Sequence, residues 1–191
     1  NELPLSISIN GQRLWSEFPD HGGEQAILLF CPTPTQALAD EAAWRMLAHL
    51  CQTPYYQRLR VELQLGYAVF SGVRQINGQT GLLFGVQSPN VSATDLLEHI
   101  LTFSQSLPQL IASLSDQALQ DQLQSLAGQL DRSNLTLPQA FELLWQGKLA
   151  NHSSEYLVQL HQSILQLQRS ELLDAARRLN QAEGGWRALA S

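Results

Sequence analysis

The sequence predicts an α+β domain, a mainly antiparallel sheet with helices packed on one face. Three observations point to it. Up to Ser88 the chain is rich in short apolar runs with strand periodicity, with two helical stretches among them. From Ser92 onward the apolar residues fall at helical spacing, and the two kinds of segment do not alternate as a doubly wound sheet requires. No GxGxxG follows the first strand and no GxxxxGK[ST] occurs, so a nucleotide-binding α/β fold has no support.

In order along the chain, Leu5 to Ile9 alternates apolar and polar and reads as a strand, Asn10 and Gly11 as a turn, and Gln12 to Phe18 as a second strand. Ala26 to Cys31 is continuously apolar and closes on Pro32, Thr33 and Pro34, the pattern of a strand buried on both faces at the centre of a sheet. Thr33, Pro34 and Gln36 form a helix start, and Leu38, Ala42, Met46, Leu47 and Leu50 give that helix one apolar face. Thr53 and Pro54 repeat the start signal and predict a second short helix to about Glu62. Gly66 is expected to break it. Tyr67 to Ile76 and Leu82 to Ser88 then form a hairpin around Asn77 and Gly78.

Ser92 with Asp95 predicts a capped helix that Pro108 kinks or breaks. Further helices are expected over Asp116 to Leu130, Pro138 to Leu149, Glu155 to Leu167 and Glu171 to Leu179, with Thr136, Gln139 and Ser170 as caps. The glutamines between Gln117 and Gln129 fall on helical patterning, so a low-complexity segment is the weaker reading. A chain of 191 residues suits a single domain over 1–191, which at this size buries roughly 70% of its unfolded surface.

Composition removes several classes of function. A formal charge of −6 with a single lysine, Lys148, argues against a sequence-independent nucleic-acid binder, which needs clustered cations. Arg58 with Arg60 and Arg177 with Arg178 are read as solvated helix faces. The apolar runs AILLF and GLLFGV are too short to span a bilayer, no signal peptide opens the chain, and Cys31 and Cys51 specify neither a disulfide framework nor a zinc knuckle. A bacterial cytoplasmic location with buried thiols is the expectation. The missing initial Met suggests a fragment or a processed product.

Metal-assisted hydrolysis requires imidazoles on one helical face with a carboxylate beside them. The histidines, His21, His49, His99, His152 and His161, form neither HxxEH nor HExxH. HSSEY at His152 to Tyr156 carries Tyr where the inverted motif needs its second His, and it is read as a chance match on a loop and helix cap. Cys31 sits in the most apolar strand, where a thiolate is disfavoured, and no GxSxG is present. What remains is Arg60 and Tyr67, one near a helix end and one at a strand start. A guanidinium and a phenol there can reach one bound chain, the first toward a carbonyl or carboxylate and the second toward a developing oxyanion. On the residues alone a surface ion pair of Arg60 with Glu62 or Glu41, and a half-buried strand position for Tyr67, are the stronger reading.

The stretch from Arg58 to Ser88, RLRVELQLGYAVFSGVRQINGQTGLLFGVQS, resembles the segment LRxxxQLGYxVxSGxR…GLxFxxQS in the non-catalytic half of zinc peptidases of the insulysin and pitrilysin family. EAAWRML from Glu41 and the closing GGWRALAS extend the resemblance. It implies a C-terminal half domain that completes a peptide chamber, carries no zinc itself and pairs with an N-terminal catalytic half of the same polypeptide bearing HxxEH and the zinc. It also implies that Arg60 and Tyr67 are the catalytic pair, contacting the substrate and its oxyanion beside that metal, with no cofactor-binding or metal residue on this chain. Within the family the wording looks like the branch that cuts a short precursor peptide in pyrroloquinoline quinone biosynthesis. The fragment alone is then expected to be inactive. Val61, Glu62 and Leu63 depart from the more polar residues that precede QLGY in relatives, which leaves the detailed geometry open.

Two alternatives stay open at this stage. The chain fits a purely structural subunit of the same fold, or an adaptor that binds a peptide along an exposed strand edge with no chemistry.

Overall fold

The computed structural model describes residues 9–19 and 23–191. Apart from Ile9, the strand expected over Leu5 to Ile9 lies outside the described residues, as does His21. Five strands form one sheet: β1 (Arg13–Glu17), β2 (Gln25–Pro32), β3 (Ala68–Ile76), β4 (Gln79–Ser88) and β5 (Trp186–Ala190), in the order β1-β5-β2-β4-β3. β1 runs parallel to β5 and every other pairing is antiparallel. β2 is internal, as expected, but it is not buried on both faces: helices cover only one side of the sheet among the described residues, so its apolar run is half exposed. Ile27, Leu29 and Cys31 point to one face and are buried, whereas Leu28 and Phe30 point to the other.

The buried face is covered by α1 (Leu38–Tyr56), α2 (Ala93–Gln105) and the helices that follow: α3 (Leu107–Ser113), α4 (Asp116–Leu130), α5 (Leu137–Leu149), α6 (Tyr156–Leu165) and α7 (Arg169–Asn180). α1 joins the layers: Trp44, 1% exposed, donates its indole N–H to the Cys31 carbonyl at 3.1 Å. Farther along α1, Tyr55 stacks obliquely on Phe84 of β4 and edge-on to Phe103 of α2, with ring centroids 5.1 and 5.2 Å away. An alternating strand face and a helical stripe thus share one apolar core.

The helix expected to start at Thr33 and Pro34 begins instead at Leu38. Thr35 makes the turn before it, hydrogen-bonding Asp40 at 2.6 Å and accepting from the Ala37 amide, while the Thr33 amide extends the sheet by donating to the Thr80 carbonyl. The second helix expected at Thr53 and Pro54 is the continuation of α1. Pro54 removes one helical hydrogen bond, but Cys51, Tyr55 and Leu59 anchor the same face in the core, so α1 passes through it to Tyr56 and then widens into a π-helical turn over Gln57–Glu62. Its reversal is made by Gln64 at φ 51°, and not by Gly66.

The hairpin turns at Asn77 and Gly78, both left-handed, with φ 50° and 76°. Pro108 marks a break, Ser92 caps α2 through the Asp95 amide, and Thr136 with Gln139 caps α5. At α7 the start is made by Gln168, whose amide donates to Glu171 at 2.7 Å, so Ser170 is not the cap. β5 is the element the sequence reading lacks.

Candidate functional site

The two residues that the sequence singles out flank the turn joining the π-helical turn to β3. Arg60 lies within the wide turn and is half-buried. Arg58 pairs with Glu62 at 2.7 Å, and Glu41 is taken by Arg45, so both ion-pair partners considered for Arg60 are engaged elsewhere. Among the described residues no hydrogen bond or ion pair holds the Arg60 guanidinium, and none joins it to Tyr67.

Tyr67 is 52% exposed, and its hydroxyl donates to a Glu24 carboxylate oxygen. The same oxygen accepts from Gln87 Nε2 at 2.7 Å. That hydrogen bond to Glu24, more than desolvation, holds the Tyr67 phenol above its ordinary value, because deprotonation would set an anion against a carboxylate. Register explains the grouping: Gln87 lies opposite Ala68 on one side and Ala26 on the other, between buried Val86 and Ser88, so its side chain emerges on the helix-free face beside Glu24. Gly66 allows the arrangement, since a Cβ there would lie 1.9 Å from the Gln87 carbonyl oxygen. Glu24 and Gln87 have no local signal in the sequence; they become partners of Tyr67 only through strand pairing.

The remaining candidates separate from this site. Burial pushes the Cys31 thiol up to about 12, which leaves no thiolate for nucleophilic attack, and burial raises Cys51 as well. His152 stacks on Tyr156, ring centroids 4.7 Å apart, and contacts Glu41 at 3.1 Å. Tyr156 donates to the other oxygen of Glu41, which also accepts from Arg45 Nε at 2.9 Å. HSSEY is thus part of a buried cross-link between α1 and α6. Among the described residues no group of three or more His, Cys, Asp or Glu gathers as metal ligands would.

Residues 46–145 match the family model described as PQQ synthase PqqF-like, C-terminal lobe domain 4. The chain belongs to that family. Coenzyme PQQ synthesis protein F of Pseudomonas protegens is 56% identical over 177 residues, 93% of this chain and 21% of that protein. The protein of the same name from Pseudomonas syringae pv. tomato is 47% identical over 190 residues, 100% of this chain and 24% of that protein. This PqqF-like domain therefore spans between a fifth and a quarter of the length of these curated relatives. Its fold is that of the pitrilysin half domain: the crystal structure of pitrilysin superposes with a TM-score of 0.79 at 20% identity, covering 97% of this chain and 20% of that one. Among the described residues no helix is long and apolar enough to cross a membrane.

Proposed function

We infer that this PqqF-like domain forms one wall of the substrate chamber of a zinc metalloendopeptidase that cleaves a short precursor peptide in pyrroloquinoline quinone synthesis, in the bacterial cytoplasm. The observation that carries the reading is the pair of donors beside QLGY: a guanidinium without a partner among the described residues and a half-exposed phenol whose hydroxyl is oriented by its hydrogen bond to Glu24. The zinc belongs to the N-terminal half of the same polypeptide, where it supplies the activated water. Arg60 holds a peptide carbonyl or carboxylate of the substrate. Tyr67 passes its hydrogen bond from Glu24 to the oxygen that gains charge, while Gln87 keeps Glu24 in place. By itself this domain holds a peptide without cutting it.

Tyr67→Phe in the full-length protein tests this. It removes one hydroxyl at a half-exposed position, so folding stability stays within ~0.5 kcal/mol, the range of surface substitutions. Turnover of a peptide substrate falls by ~10²-fold, as for loss of an oxyanion donor. Steady-state kinetics and a thermal melt on the same variant decide it, and unchanged turnover removes Tyr67 from the mechanism. The structural-subunit reading predicts that unchanged result, and the adaptor reading predicts no turnover in wild type or variant.

A further inference from the structure

Among the described residues the sheet carries helices on one face only, and its other face is not polar. Leu28 lies beside Leu189 of β5 and Gly85 of β4, and Phe30 lies beside Arg187 and Leu83. Leu28, Phe30, Ile76, Leu83, Arg187 and Leu189 line a pocket of about 270 Å³, at the small end of ligand pockets and suited to one large side chain. Glycine shapes the surface. A Cβ on Gly81 would lie 2.4 Å from the Phe30 ring, and one on Gly85 would lie 2.3 Å from Phe70, so both rings fold down over the strands. In a chain of net charge −6, this face also presents the guanidiniums of Arg187 and Arg74, and among the described residues neither forms an ion pair.

We propose that this pocket is a remote subsite for the peptide substrate, taking an apolar side chain whose neighbour is acidic. The argument is continuity. Glu24, Gln87 and the Tyr67 hydroxyl lie at one end of the same helix-free face, and Phe70 covers the sheet between them and the pocket. From Gln87 to Leu83 is four residues and from Glu24 to Phe30 six, or ~13–20 Å at ~3.4 Å per residue. An extended peptide rises by the same amount, so the side chain entering the pocket is four to six residues from the bond at Tyr67. Arg187 stands over the pocket to receive the adjacent carboxylate. The subsite rests on the reading of Tyr67 as a substrate contact, and its test separates the two.

The test uses the full-length protein, a short peptide that it hydrolyses, and the same peptide extended on either side by six Gly/Ser-rich residues carrying Phe-Glu or Phe-Lys at the fifth and sixth. Leu28 and Arg187 face away from the core, so Leu28→Ser and Arg187→Glu leave folding intact, which a thermal melt verifies. Leu28→Ser lowers the ratio of kcat/KM for the extended over the short peptide by about tenfold, the scale for losing an apolar contact in a pocket. Arg187→Glu reverses the preference of Phe-Glu over Phe-Lys, a result that mere loss of packing would not give. A ratio and a preference that both survive the substitutions overturn the proposal, and that is the outcome if another domain, or the chain before Ile9, covers the pocket. Tyr67→Phe lowers short and extended peptides alike, so failure of that reading appears as constant turnover while the ratio still responds to Leu28→Ser.

Discussion

At the scale of single residues, the phenol of Tyr67 cannot serve two acceptors at once, because it has one proton and Glu24 holds it. Glu24 is thus an internal rival of any substrate oxygen, and also the group that orients the hydroxyl. Replacing the carboxylate by a neutral amide, Glu24→Gln, removes the charge that disfavours tyrosinate. The phenol's pKa, now raised, falls back toward the ordinary tyrosine value. Difference absorbance of tyrosinate against pH reads this directly. Tyr55 and Tyr156 are buried and titrate far higher, so the shift between wild type and variant reports on the exposed phenols, and an unshifted curve removes Glu24 as the cause. The sequence makes Tyr67 legible through its neighbours Gln64 to Gly66. Glu24 lies 43 residues away and becomes its partner only when β2 and β4 pair.

At the scale of elements, Gly66 sets the distance between the entry to β3 and the neighbouring strand. Its contact is with backbone, which cannot swing aside as a long side chain would. Gly66→Ala therefore displaces the Leu65–Tyr67 segment and lowers stability by about 2 kcal/mol, within the range for overpacked sites, together with activity of the full-length protein. Gly128 in α4 is the control, because a Cβ there meets nothing within 4 Å. Gly128→Ala leaves the urea midpoint unchanged or raises it, since alanine is the better helix former. Equal midpoints for wild type and Gly66→Ala would refute the close approach. The hairpin was legible because Asn77-Gly78 is a local turn signal, and the glycine in QLGY was legible as special but not for the right reason. A helix break is a local event, whereas contact with Gln87 is tertiary. β5 escaped for the opposite cause. Of its inward residues only Trp186 is large, and Ala188 and Ala190 are too small to extend an alternating pattern, so its place beside β2 comes from packing.

At the scale of the whole molecule, the helical second half is tied to the sheet layer by polar joints at α1 as well as by the core. Arg178 of α7 reaches Asp40 at 2.7 Å. Deeper in, Glu41, 3% exposed, joins Arg45 of α1 to Tyr156 of α6 and His152 before it. A buried ion pair of this kind adds little over an apolar pair of the same shape, but it is costly to break on one side, because the surviving charge stays buried. Glu41→Ala leaves the Arg45 guanidinium, 8% exposed, with only the Tyr156 hydroxyl at 3.4 Å. It is expected to lower unfolding free energy by about 3–5 kcal/mol. Tyr156→Phe keeps the Glu41–Arg45 pair and removes one neutral donor, costing about 1–2 kcal/mol. Urea unfolding of the two variants ranks them, and a Tyr156→Phe loss equal to that of Glu41→Ala would mean that ring packing, and not the buried charge, holds α6 against α1. Because this joint lies on the helix side, the loss appears as stability, leaving the helix-free face with Tyr67 and the Leu28 pocket intact in the molecules that remain folded.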